Sequence, residues 1–537
     1  MTKFFKTLLS IMLIVGMTFS SVFALSSCGE TIESESEPVS SVIIYDLQSA
    51  QTSYSIKEKS TLDLQVKLYI NGALSPLNGL NFTSSDPSVA TVDSQGVVTA
   101  LKCGTTTITA SIENESLAVT VTVEELPKSV TVDTDDFILA VGEKANLTAT
   151  ALEDGAIVDD AMIIYQSADD KVATVSDNGL ITAIGHGVTD VLVSYGSATV
   201  SVQVTVYAEV SAQSVNTFDE EFINAYGRTY ITDGKLNLDH VASGVEVAII
   251  GTSLTVNLKS TNSQFIRVFV DDDMEGTRMA VTPTKKTYEV AKNLENAYHK
   301  IRIVKSSELF DGQIDIESFS SEKFAYAPPK GNLKIEFIGD SITAGYAVLG
   351  KPGQNRTVAN SEATKSFAYQ TAQLLNADYS TIAVQGICAV AYHWQKNLNM
   401  YNLYQKVSAD FNSADYDFSF NPDVVVLALG TNESSYLEPA YGGPAYGNQF
   451  PADYQKMLTL IRDKNPNAYI FCVYGSMGTN TTILSGIKTA VSAMNDSKIT
   501  SLSFSTDVSG GAGHPSVTGN TKWANELANK IKKLLND

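Results

Sequence analysis

The 537-residue chain is too long for one hydrophobic core, so several domains are expected. Apolar side chains make up 44% and charged ones 18%, a globular and not a disordered composition. With 59 acidic against 37 basic residues the formal net charge is -22, which excludes nucleic acid as a partner, disfavours electrostatic adhesion to an anionic membrane, and suits a neutral substrate.

Lys3 and Lys6 precede a mostly apolar run over residues 8–23, too short for a comfortable bilayer span, so residues 1–27 read as an export signal. The run closes on Leu25-Ser26-Ser27-Cys28-Gly29, which resembles the bacterial lipoprotein box. That resemblance implies that Cys28 carries diacylglycerol as the new N terminus. The protein is then an exported cell-surface lipoprotein, held to the membrane at Cys28 with residues 28–38 as a solvated acidic linker. Cys103, Cys388 and Cys472 have no CxxC spacing and no neighbouring His. No metal site or disulfide framework is expected, and buried free thiols fit all three.

Ser85-Asp86-Pro87-Ser88-Val89-Ala90-Thr91-Val92 recurs about 83 residues later as Ala168-Asp169-Asp170-Lys171-Val172-Ala173-Thr174-Val175. The register holds through Gly96 and Gly179, Thr99 and Thr182, and Gly104 and Gly187. Short alternating strands surround these positions, as in residues 105–111 and 198–206, which predicts two β-sandwiches over 39–125 and 126–207. The pair resembles the bacterial Ig-like group 2 domain. With no aromatic cluster on the repeat, a spacer is expected in preference to a glycan binder.

Residues 208–328 alternate without the repeat, with strands at 245–250, 253–258, 265–270 and 299–304, and form an all-β domain. Over 329–537 the period changes. Near-continuous apolar runs at 333–338, 423–429 and 468–473 read as strands buried on both faces. Helices are predicted over 366–375, 452–462, 482–494 and 522–535, and their alternation with the strands gives a parallel α/β sheet whose ligands gather beyond the strand carboxyl ends.

Polar motifs cluster at those ends. Ser341 directly follows a buried strand, so it would be presented at a strand-to-helix turn with its own N–H free for a developing oxyanion. Gly386, after the run 380–384, lets the backbone approach and offer a second N–H. Asn432 supplies an amide donor, and His514, ahead of the last helix, supplies a general base.

This ordered set resembles the SGNH (GDSL-type) hydrolase superfamily. The strings EFIGDSITAGY, LGTN and GHPS, preceded by an all-β domain, look like carbohydrate esterase family 2. The resemblance implies a flavodoxin-like hydrolase domain behind a β jelly-roll-like one. It also implies a serine esterase without cofactor or metal that removes acetyl groups from plant cell-wall polysaccharide of xylan or glucomannan type. Ser341 and His514 would be catalytic, with Ser341, Gly386 and Asn432 forming the oxyanion hole. Alternatives on the same fold are a lipase, a thioesterase or a peptidoglycan O-acetyl esterase. A non-catalytic adhesin is the reading from another class.

The superfamily usually has Asp three residues before the His, where this chain has Gly511. Either Asp507 serves as the third catalytic member, or a backbone carbonyl orients His514 in a dyad. Glu433 stands where Asp commonly follows the Asn and is expected to face solvent. His393 is the rival base within the hydrolase region. Trp394, Tyr436 and Tyr441 are candidate substrate-binding residues, the tyrosines in a Gly/Pro-rich loop with Tyr446 and Phe450 that could stack sugar rings. For the anchor, Cys28→Ala should abolish metabolic labelling by fatty acid and release the protein from membranes. Unchanged labelling would remove the lipoprotein reading.

Overall fold

The structure is a computed structural model that describes residues 45–210, 212–216, 219–391, 398–408, 413–439 and 443–536. The signal segment, Cys28, the linker, His393, Trp394 and Tyr441 lie outside the described residues. The chain divides into two units, Met1–Leu126 and Pro127–Asp537.

The first unit is a small β-sandwich. One of its sheets orders the strands Ser53–Lys57, Glu115–Glu124, Gly104–Ile112 and Asn81–Ser84, with the first pair parallel and the others antiparallel. Val119, Val121 and Val123 alternate inward and are buried. The second unit opens with the same order in Asp136–Ala140, Ala198–Tyr207, Gly187–Tyr195 and Ile164–Ser167.

The repeated signature has a physical cause. In each sandwich a buried threonine, Thr106 or Thr189, accepts the backbone N–H of Asp86 or Asp169 at 2.9 Å and fixes the turn. Gly104 and Gly187 pass so close to Val89 and Val172 that a Cβ would lie 2.9 and 2.8 Å from a valine methyl. Cys103, expected to be buried, is exposed, because it sits in the turn just before Gly104.

Two antiparallel sheets follow. One runs Glu209–Val210, Phe324–Ala325, Gly244–Gly251, Ala297–Lys305, Gln264–Val270, Thr277–Val281. The other runs Tyr230–Thr232, Lys235–Leu238, Ile314–Ser320, Leu254–Ser260, Thr287–Ala291. Val247, Val256, Ile266, Ile303 and Phe319 fill the core between them. The second sandwich stacks on this β domain, Tyr207 on Tyr298 at 4.8 Å and His186 on Tyr326 at 4.6 Å between ring centroids.

The C-terminal domain is a five-stranded parallel sheet: β1 (Lys334–Gly339), β2 (Asp378–Ala383), β3 (Val424–Ala428), β4 (Tyr469–Tyr474) and β5 (Ile499–Ser503), in the order β2-β1-β3-β4-β5. Successive strand residues point to opposite faces. Ile338, Val425, Leu427 and Ile470 enter one core, and Phe337, Val424, Val426 and Phe471 the other. Helices α1 (Phe367–Leu374) and α4 (Val517–Asn536) cover the second, α4 through Trp523, Leu527 and Ile531. Helices α2 (Gly443–Lys464) and α3 (Thr481–Met494) cover the first.

Helix α2 begins nine residues before its predicted start. Pro444 stands in its first turn, where a missing N–H is harmless, although Pro and Gly there suggest a loop in the sequence. Tyr446 and Phe450 are therefore buried on a helix and do not form a sugar-stacking loop.

Ion pairs on two buried glutamates join the β domain to the C-terminal domain. Arg228 meets Glu336 of β1 at 3.2 Å, donates to the carbonyls of Tyr404 and Lys406, and lies over the Tyr416 ring. Arg267 and Arg278 converge on buried Glu362 at 3.1 and 2.8 Å. Trimming the chain to 127–537 keeps the tyrosine and histidine stacking, and trimming to 208–537 bares Tyr298 and Tyr326. The shorter chain should be roughly 1–3 kcal/mol less stable than the longer, as two lost aromatic contacts require. Equal denaturation midpoints would show that this stacking contributes nothing.

Candidate active site

The strand order reverses direction at β1, between β2 and β3, and the crevice at such a switch point is where ligands bind in open α/β sheets. The three adjacent strands each send one predicted residue into it. β1 ends at Gly339, where a Cβ would lie 2.0 Å from Thr343 Oγ1, so only glycine lets the chain turn this tightly into Asp340-Ser341. Gly386 follows β2 and Asn432 follows β3. The Asn432 amide donates to the Ile387 carbonyl at 2.9 Å, tying the last two loops together.

Ser341 Oγ–H donates to His514 Nε2 at 2.8 Å. The other ring nitrogen, Nδ1, lies 3.1 Å from the Ala512 carbonyl oxygen, which can only accept, so Nδ1 carries the proton and Nε2 is left as the base. Ala512 takes the left-handed conformation (φ 51, ψ 29) that belongs to the turn presenting this carbonyl. Burial pushes the His514 pKa below the ordinary imidazole value, against the Ala512 carbonyl, which pulls it up.

Asp507 does not reach the histidine. One of its oxygens accepts from Ser509 N and Oγ at 2.8 and 2.5 Å, the other from Ser516 N and Oγ at 3.0 and 2.7 Å. Burial works to raise its pKa, and these bonds overcome it, leaving the carboxyl at about 2. Asp507 thus secures the loop before α4. A side chain at position 511 would crowd Ala347, which a Cβ would approach to 3.1 Å, so the loop is packed around a glycine there.

Asp340 and Glu433 are fully buried beside these groups. Burial pushes each up to about 7, and for Asp340 the Glu433 carboxylate adds to the rise. Asp340 accepts the Ile342 N–H at 2.9 Å and faces the Asn432 amide at 3.3 Å. Glu433, expected to face solvent, instead turns inward and accepts the Ala389 N–H at 2.6 Å, pinning the loop that carries Gly386. Tyr436 is half-buried and packs on Tyr446 at 4.8 Å, at the margin of the core. Among the described residues no group of acidic, His or Cys side chains could hold a metal ion.

Comparison with known proteins agrees with this architecture. Residues 225–329 match the carbohydrate esterase 2 N-terminal domain, residues 337–533 the GDSL-like lipase/acylhydrolase family, and residues 47–123 the bacterial Ig-like domain (group 2). The carbohydrate esterase 2 N-terminal match thus directly precedes the GDSL-like one. Cellulase/esterase CelE of Acetivibrio thermocellus is 30% identical over 308 residues, 55% of this chain and 37% of that protein. An acetylxylan esterase / glucomannan deacetylase of Cellvibrio japonicus is 25% identical over 264 residues, 48% of this chain and 72% of the relative. The chain therefore spans about a third of the length of the first relative. A family two carbohydrate esterase from Clostridium thermocellum, solved with cellohexaose, superposes with a TM-score of 0.54 at 27% identity, covering 58% of this chain and 99% of that one.

Sequence alone assigned no role to Tyr346, whose ring lies 4.4 Å from the His514 ring between centroids. Tyr346 closes the string that begins at Glu336, but which way the turn carries it cannot be read from spacing. Two outcomes follow from the histidine's surroundings. If His514 is the base, kcat/KM should rise with pH around a midpoint below about 6.5, because only the neutral ring accepts a proton. A midpoint at 7 or above would contradict His514 as the base. Asp507→Ala should lower kcat less than about tenfold while loosening the loop that its bonds to Ser509 and Ser516 hold ahead of α4. A fall near 10⁴-fold, the scale of a lost triad acid, would make it catalytic.

Proposed function

We propose that this chain is an exported serine esterase that removes acetyl groups from plant cell-wall polysaccharide of the xylan or glucomannan type. The observation that carries the reading is the 2.8 Å bond from Ser341 Oγ to His514 Nε2 at the switch point of the sheet. The substrate class is supported by the acetylxylan esterase / glucomannan deacetylase similarity and by the carbohydrate esterase 2 domain over 225–329.

In this reading Ser341 Oγ attacks the ester carbonyl as its proton passes to Nε2. The Ala512 carbonyl holds the Nδ1 proton and steadies the imidazolium that forms. Negative charge on the former carbonyl oxygen meets the N–H groups of Ser341 and Gly386 and the Asn432 amide. In the free chain both amide hydrogens of Asn432 have partners, so it must give up the longer one, 3.3 Å from Asp340, to take the oxyanion. The sugar hydroxyl leaves with the proton from His514, and water then releases acetate by the same route.

Around this centre, the proposed division is two spacer sandwiches (39–125 and 126–207) ahead of a catalytic body made of 208–328 and 329–537. A lipid on Cys28 would hold the whole at the cell surface. Ser341→Ala and His514→Ala should each reduce acetate release from acetylated xylan and glucomannan to near background, because the two act as a unit. Asn432→Ala should cost roughly 10²–10³ in rate, the scale of one oxyanion donor. Full activity of Ser341→Ala, or faster turnover of long-chain acyl esters than of acetates, would contradict this function.

A further inference from the structure

A row of contacts leads from His514 into the β domain. The Tyr346 ring packs against the imidazole with centroids 4.4 Å apart and planes tilted by 35°. The Arg356 guanidinium lies 5.6 Å from the Tyr346 ring centroid, within cation–π range. Arg356 is itself fixed on three sides: it pairs with Asp311, its Nε donates to Ser361 Oγ at 3.2 Å, and it approaches Glu308 to 3.9 Å.

Asp311 and Glu308 belong to the β domain, on the turn whose backbone is locked by the Glu308 N–H donating to the Asp311 carboxylate at 3.0 Å. Buried Lys305 donates to the carbonyls of Ser307 and Glu308 at 3.0 and 2.9 Å and holds the same turn from beneath. Asp311 is the direct partner of Arg356, while Glu308 stands farther off, its carboxyl pushed up to about 8 by burial.

The histidine needs such support. A neutral carbonyl on Nδ1 fixes the tautomer but leaves the plane of the ring weakly defined, whereas a triad carboxylate would add charge and direction. Catalytic geometry tolerates little error, since small misplacements of a reacting group cost large factors in rate. We propose that Tyr346 is a positioning residue that sets the imidazole plane of His514, and that Arg356 and Asp311 hold Tyr346 in place. The β domain thereby takes part in aligning the base. The inference rests on the esterase function proposed above.

The test uses the full chain and 4-nitrophenyl acetate, a substrate too small to need glycan contacts, with Ser341→Ala as a parallel control. Tyr346→Ala should lower kcat about 10–100-fold with KM within about threefold, and Tyr346→Phe should restore kcat to within about threefold of the parent. Asp311→Asn should lower kcat by a smaller factor and add nothing further in combination with Tyr346→Ala, because both act through one ring. An unchanged kcat in Tyr346→Ala, a loss confined to KM, or additive effects in the double variant would overturn the inference. Should Tyr346→Ala fail to fold, Asp311→Asn alone decides, since an unchanged kcat there breaks the row. Activity surviving in Ser341→Ala would instead defeat the esterase reading itself, so the two failures are distinguishable.

Discussion

Two guanidinium–carboxylate clamps, each on a buried glutamate, fasten the β domain to the C-terminal domain and constrain the rest of both. Glu336 sits on the central strand with Arg228 against it, and Glu362 receives both Arg267 and Arg278. Charges removed from water in this way must be paired, and losing one partner costs about 3–5 kcal/mol. The segment that follows Ser341 is therefore not free to drift. Arg278 also donates to the carbonyls of Val358, Ala359 and Ser361, which secures the return of that segment towards α1. The same fixed frame brings the turn with Asp311 up to Arg356 and, through Tyr346, to the neighbourhood of His514.

Chemistry at the switch point follows from this rigidity. Ser341, Gly386 and Asn432 leave the carboxyl ends of three neighbouring strands, so their separation is set by the strand spacing of the sheet. The loops after those strands are then stitched to one another by Asn432 on Ile387 and Glu433 on Ala389. In the proposed mechanism these donors are held in place before charge appears, and only the Asn432 amide has to exchange a partner, its 3.3 Å contact with Asp340.

Much of this was legible in the sequence. Apolar runs pointed to β1, β3 and β4, and the ordered motifs pointed to Ser341 and His514 as candidates, which the fold brings to 2.8 Å of each other. The orientation of His514 was left open between Asp507 and a carbonyl, because a backbone group leaves no side-chain signature. Glu433 misled for a related reason. A carboxylate beside a loop reads as solvated, and only the Ala389 N–H within reach explains its burial. The early start of α2 was hidden because Pro444 and its glycine neighbours signal a loop unless the first helical turn absorbs them. Tyr346 and Arg356 depend on how a turn-rich segment folds back, which no period encodes.

The central claim is that Ser341 forms a covalent acetyl intermediate with His514 as its base. Rapid acid quenching during turnover of an acetylated glucomannan, followed by mass spectrometry of the peptides, tests it most directly. The account predicts one added acetyl group on the peptide holding Ser341, absent in Ser341→Ala. Normal acetate release with no acetyl on that peptide, or with the acetyl on another side chain, would contradict it.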